Sequence, residues 1–182
     1  MKKSSEKNEN SHRSERLKFS FFPGCSLKAS GHENTMSLLK FCDSVNIDLI
    51  ELEDWNCCGS SSAHSIDHDA AKNLPMRNIS LVPKGIPLMI ACPSCLIRIK
   101  SMYLKIKSDK ALKQEYEELW GKPFDEDLEI VHFFEIINRI RLEDYIDQPK
   151  DKLKNLKVAP YYGCMLSMPP DLRFEKNYYG IM

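Results

Sequence analysis

Short apolar runs alternate with longer amphipathic stretches along this chain. Lys18 to Phe22 (KFSFF) reads as a strand that stops at the turn Pro23-Gly24. From Glu33 to Ser44, Met36, Leu38, Leu39, Phe41 and Cys42 occupy much of one helical face, and Ile47 to Leu52 follows as a second strand. His64 to Val82 has a helical pattern, with Pro75 expected to kink or divide it because proline removes a backbone donor. Pro87 to Ala91 is a third strand, and the helix after it, Leu96 to Lys107, opens with Cys92-Pro93-Ser94-Cys95, Pro93 in its first turn. This βαβαβ order predicts an α/β fold, an open and mostly parallel sheet with flanking helices.

Past Ser108 the chain is charged and helical in character, clearest at Glu115 to Trp120 and His132 to Arg141, and is expected to connect and cover the sheet. A helix face there reads as solvated rather than as a docking face. The organisation expected is a disordered polar tail (1–16), a cysteine-bearing α/β domain (17–108), a helical connector (109–154) and a final segment (155–182). The tail has no apolar core of a signal peptide, and no apolar run approaches the roughly 18 residues that a membrane span needs.

Composition narrows the function classes. A chain of 182 residues with 42% hydrophobic content can bury a real core. Lys plus Arg equals Asp plus Glu at 26 each, so no net field draws in nucleic acid or an anionic membrane. Seven cysteines without a secretory leader fit a reducing compartment, the cytoplasm by default, where such clusters bind metal or do redox chemistry.

Five of those cysteines fall in three groups: Cys25, then thirty-one residues, Cys57-Cys58-Gly59, then thirty-two residues, Cys92-Pro93-Ser94-Cys95. Packing gives no reason for an adjacent pair and a Cys-x-x-Cys, whereas thiolates converging on one metal centre do. Each group follows the C-terminal end of an expected strand, where open α/β sheets place their sites. The helix opened by Cys92 would favour thiolate through its positive end. Thiolates suit iron–sulfur clusters and zinc, and little His-rich or carboxylate-rich constellation exists for hard-metal hydrolysis. The residues alone leave three readings: an iron–sulfur cluster, structural zinc using four of the five, and a metal-free thiol relay. Cys42, on the apolar face of its helix, reads as core. His32, His64 and Ser60-Ser61-Ser62 read as loop hydrogen-bonders and Trp55 as packing, while Gly59 suits a positive φ or a close backbone approach directly after the cysteine pair.

The stretches FFPGCSLKASGHENT, DWNCCGSSSAHSIDHDAAKNLPMRN and ACPSCLIRIK resemble the cysteine-rich CCG domain found in the B subunit of heterodisulfide reductase, closely over about Lys18 to Lys107. Related domains occur in succinate:quinone reductase subunits and in lactate, glycolate and glycerol-3-phosphate oxidising complexes. The resemblance implies a noncubane 4Fe-4S cluster held by Cys25, Cys57, Cys58, Cys92 and Cys95. It also implies electron supply from a ferredoxin-like iron–sulfur subunit and electron delivery to a disulfide or a quinone-linked partner.

Family members carry two such domains, and Phe21-Phe22-Pro23-Gly24-Cys25-Ser26-Leu27 is echoed by Tyr161-Tyr162-Gly163-Cys164-Met165-Leu166-Ser167 after a strand-like Leu156 to Tyr161. Eighteen residues follow Cys164, against seventy from Cys25 to Cys95, so Cys164 is expected to be an orphan ligand of a truncated second domain. Met168-Pro169-Pro170 stands where the family often has an arginine before the prolines. The expectation is an N-terminal half that is not active alone and takes its second half from a separate polypeptide. Two non-redox alternatives are a zinc-stabilised docking module and an inactive truncated product. Within the redox class, the alternative is a subunit of a quinone-linked succinate, lactate or glycolate oxidoreductase.

Overall fold

Strands β1 (Leu17–Phe22), β2 (Ile47–Glu51), β3 (Leu88–Ile90) and β4 (Ile130–His132) form one sheet in the order β2-β1-β3-β4, each neighbouring pair parallel. This computed structural model describes residues 16–60, 62–141, 144–145 and 156–159, apart from the side chain of His64. The open parallel α/β architecture expected from the sequence is therefore present.

Helices cover both faces. Short α1 (Gly24–Lys28) and longer α2 (His32–Ser44) join β1 to β2. Short α3 (Ala63–Ile66) and α4 (His68–Ser80) join β2 to β3, and α5 (Pro93–Ser108) and α6 (Lys110–Trp120) join β3 to β4. α7 (Phe133–Ile137) follows β4 directly. Because successive strand residues point to opposite faces, Phe19, Phe21, Met89 and Val131 meet Cys42 and Val45 in one layer, while Phe22, Leu88, Ile90 and Ile130 meet Met76, Ile79, Ile99 and Ile106 in the other. Leu88, Met89 and Ile90 are all fully buried, as a parallel strand covered on both faces requires, and each contributes roughly 1.5–3 kcal/mol.

The strand order decides where a site can form. From β1 the chain steps to β2, then returns past β1 to β3, and α4, α5 and α6 pack on the opposite layer from α2. The loops leaving β1 and β3 thus diverge and open a crevice at the carboxyl ends of the two central strands.

Two expectations are corrected. Pro75 does not divide its helix: the break falls at Asp67, whose carboxylate caps α4 by accepting from the amides of Asp69 (2.8 Å) and Ala70 (3.1 Å). Pro75 sits inside α4, and the carbonyl its missing N–H would have bonded, that of Ala71, accepts from the Arg98 guanidinium at 2.6 Å instead. The stretch His132 to Arg141, expected to be helical, begins at the last residue of a strand. β-branched Ile130 and Val131 fit the pleated slot beside β3, and His132 then caps α7 in a box with Glu135. The region expected as a helical connector thus supplies α6, α7 and the fourth strand. Arg16, assigned to the polar tail, is held by Asp48 (2.6 Å) and Asp43 (2.7 Å). Residues 156–159 are in no strand, and the rest of the echo with Cys164 lies outside the described residues.

Candidate metal centre

All three cysteine groups lie at this crevice. Cys25 is exposed in the first turn of α1, which starts directly after β1 because Gly24 adopts φ +72°. A Cβ on Gly24 would come within 3.0 Å of Cys95 Sγ and 3.4 Å of Phe22 Cε1, so only glycine lets this turn pass beside the thiol.

Cys57 and Cys58 sit on the loop after β2. Trp55 packs edge-on against Phe22 with ring centroids 5.4 Å apart and donates its indole N–H to Glu51 at 3.0 Å, the packing role its sequence position indicates. Gly59 takes the positive φ anticipated for it, +77°, and its amide N lies 3.5 Å from Cys57 Sγ. A Cβ there would meet Ala63 and Leu74 at 3.2 Å. Cys58 is only 1% exposed, and its Sγ lies 3.2 Å from that of Cys95.

Cys92 is the N-cap of α5, Pro93 its first residue, and Cys95 stands in the first turn. Cys95 keeps its proton, its pKa driven up by hydrogen bonding to Cys58 and Cys92 and by burial. The thiols of Cys58 and Cys92 are each drawn down to about 6, first by the hydrogen bond from Cys95. Ser60 assists at Cys58 and the amides of Cys95 and Ser94 assist at Cys92, both against desolvation. At Cys57 the Gly59 amide pulls downward, yet burial and the neighbouring Cys58 and Cys25 leave the net shift upward. The five thiols therefore form one connected set: Cys25 with Cys57, Cys57 beside Cys58, Cys58 with Cys95, and Cys95 with Cys92.

This donor set fits a soft, thiolate-ligated metal group. The thiols of Cys58 and Cys92 are drawn toward the thiolate, Gly24 leaves beside Cys95 Sγ the room that a Cβ would fill, and binding would release the proton held by Cys95. Among the described residues no three His, Cys, Asp or Glu side chains are grouped to chelate a single ion.

Cys42 stays in the core of the opposite layer, where burial lifts its thiol to about 11, and His32 is exposed at the start of α2. The side chain of His64, all of Ser61, and Cys164 lie outside the described residues. Sequence reasoning missed Asn78, a fully buried amide on α4 that holds the cysteine-pair loop, and His132, which is buried at the end of β4 and bonds the carbonyl of Ala91, next to Cys92, at 2.9 Å. An asparagine inside an otherwise apolar helical face was the available signal for the first. A cavity of about 670 Å³, lined by Ile79, Val82, Lys122, Phe124 and Leu128 among others, lies at the amino ends of β3 and β4, the opposite ends from the cysteine loops.

Residues 19–100 match the family model of the cysteine-rich domain, CCG. The chain is similar to the 8-methylmenaquinol:fumarate reductase membrane anchor subunit of Wolinella succinogenes, 30% identical over 164 residues that cover 87% of this chain and 57% of that protein. It is also similar to a protein of Archaeoglobus profundus described as like the B subunit of heterodisulfide reductase, 24% identical over 167 residues, 88% of this chain and 56% of that protein. The chain thus spans little more than half the length of these relatives. None of the described helices is long and apolar enough to cross a membrane.

Proposed function

We propose that this chain, with its cysteine-rich domain, is an iron–sulfur subunit, or the N-terminal part of one, in an oxidoreductase complex resembling heterodisulfide reductase. Cys25, Cys57, Cys58, Cys92 and Cys95 hold a noncubane 4Fe-4S cluster. The observation that supports this reading is the connected set of five thiols from three loops at the switch point of a parallel sheet. Five sulfur donors exceed the four of structural zinc or an ordinary cubane.

When bound, the cluster supplies one-electron chemistry and, in the heterodisulfide reductase-like case, a centre for disulfide reduction. The chain's own residues bind and shield it. Cys58 and Cys95 bury their side of the site, Phe22 and Trp55 pack in the same apolar cluster, and exposed Cys25 leaves one edge open toward a partner. Partners in this reading are a ferredoxin-like iron–sulfur subunit and other subunits of the complex. Cys164 then belongs to a second cysteine set completed by another polypeptide or further sequence. The location is cytoplasmic, peripheral to the membrane through those partners.

Similarity to a menaquinol:fumarate reductase subunit favours one second reading within the redox class, a quinone-linked complex in which electrons pass to or from a membrane partner. Iron and acid-labile sulfide on anaerobically prepared or reconstituted protein test the shared premise. About four of each per chain are expected. Stoichiometric zinc without sulfide overturns the premise and leaves a zinc-stabilised module. With iron bound, reoxidation of the reduced centre by a low-molecular-weight disulfide, followed by its electron paramagnetic resonance signal, favours the heterodisulfide reductase-like case. Reoxidation only in the presence of a quinone-linked membrane fraction favours the other.

A further inference from the structure

Asn78 is 0% exposed, yet its carboxamide is fully engaged. Its oxygen accepts from the Asn56 amide at 3.0 Å, and its nitrogen donates to the Asn56 carbonyl at 2.9 Å and to the Leu74 carbonyl at 3.1 Å. One side chain thus meets the donor and the acceptor of Asn56 as a neighbouring strand would, at a place where no strand runs. The Asn56 side chain adds bonds to the carbonyls of Cys57 (2.8 Å) and Leu74 (3.1 Å). Arg77 donates to the Asn56 side chain at 2.9 Å and to the Asp54 carbonyl at 2.6 Å. Asp54 itself sits at φ +55°, a conformation unfavourable for a side-chain-bearing residue and in need of such support.

The gripped carbonyls belong to the peptides immediately before and after Cys57. We propose that Asn78 is a positioning residue for the Cys57-Cys58 pair: through the backbone of Asn56, and with Arg77 bracing the loop from outside, it sets the direction in which both thiols enter the crevice. Its relevance to a cluster rests on the five-cysteine reading above, whereas the positioning itself does not.

The test therefore begins without metal. Iodoacetamide modification of each cysteine is followed by peptide mass spectrometry in wild type, Asn78→Asp and Arg77→Met. Asn78→Asp keeps the acceptor for the Asn56 amide but turns a carboxylate oxygen toward two carbonyls. Alkylation at Cys57 and Cys58 is expected to rise about tenfold, equivalent to about 1.4 kcal/mol. Cys42, buried under the other face of the sheet, serves as the unfolding reporter and stays at its wild-type rate, as does Cys25. Arg77→Met, which disturbs no fully buried group, is expected to give the same selective pattern at about two- to threefold. Unchanged Cys57 and Cys58 in both variants overturns the proposal. A uniform rise that includes Cys42 in Asn78→Asp means loss of fold, and Arg77→Met then decides: a selective rise supports positioning, and a flat or uniform response overturns it. After reconstitution with ferrous iron and sulfide, Asn78→Asp is expected to shift the paramagnetic resonance signal and release iron to a chelator faster than wild type. Wild type that takes up no iron fails the cluster reading alone and leaves the alkylation result standing.

Discussion

Cys42 and Cys58 are equally buried, each 1% exposed, on opposite faces of one sheet. Cys42 packs among Phe19, Phe21, Val45 and other apolar side chains, and desolvation pushes its thiol to about 11. Around Cys58 the thiol of Cys95 and the hydroxyl and amide of Ser60 donate, and its pKa falls to about 6. Burial alone makes a cysteine inert; burial together with aimed donors favours its thiolate. The polar loops at the carboxyl ends of the strands, rather than the depth of the core, create the site.

Exchange of the two thiols should break this comparison most sharply. Cys58→Ser is expected to reduce bound iron from about four per chain to less than about one. Cys42→Ser should leave iron unchanged while costing about 1–3 kcal/mol of stability for its buried hydroxyl, read by denaturant unfolding. Equal iron loss in both variants would mean that the two layers are not chemically distinct.

Reactivity comes next. In metal-free protein the alkylation rate of the half-buried Cys92 should rise with an inflection near its pKa of about 6, while Cys42 remains unreactive until the chain unfolds. The Cys42 shift also carries a stability consequence. Below its ordinary value of 9.0 both folded and unfolded chains hold the proton; above it only the unfolded chain releases it, so stability falls as pH rises from 9.0 toward about 11. Cys42→Ala should flatten that alkaline loss in a melting series.

A smaller effect separates two glycines. Gly24 and Gly85 share nearly the same backbone, φ +72° and +78°, but a Cβ on Gly24 meets Cys95 Sγ whereas one on Gly85 meets nothing within 4 Å. Each Gly→Ala change should cost about 1–2 kcal/mol of backbone strain, and only Gly24→Ala should also alter iron content or spectrum. The smallest expected effect concerns His132. Desolvation lowers its pKa despite the bond to the Ala91 carbonyl, so below 6.5 the unfolded chain gains a proton that the folded chain resists. Thermal stability should drop between pH 7 and 5.5, and His132→Gln should lessen that drop.

Much of this arrangement was legible in the sequence because it is local. Strand, turn and cysteine follow one another within a few residues at Phe22 to Cys25 and again at Ile90 to Cys92, and Pro93 marks a helix opening by its own geometry. What escaped depends on distant partners. Ile130–His132 is three residues long and becomes a strand only because β3 offers it an edge. Pro75 is tolerated in α4 because Arg98, on another helix, satisfies the carbonyl left free. Asn78 has meaning only against Asn56, twenty-two residues away. The convergence of the three cysteine groups followed from the expected parallel sheet, but the pairing of Cys58 with Cys95 required the actual packing of the start of α5 against the loop after β2.

The central position of β1 has a consequence for the order in which the protein is made. Ser20 pairs with Leu88, so β1 gains its second neighbour only after the chain has closed a span of sixty-eight residues. Cys25, Cys57 and Cys58 all emerge from the ribosome before that closure, while Cys92 and Cys95 emerge after β3. Non-local parallel pairing is slow to form. Three of the five thiols are thus synthesised before the strand that completes their surroundings, and any disulfide formed among them in an oxidising medium would compete with assembly of the site.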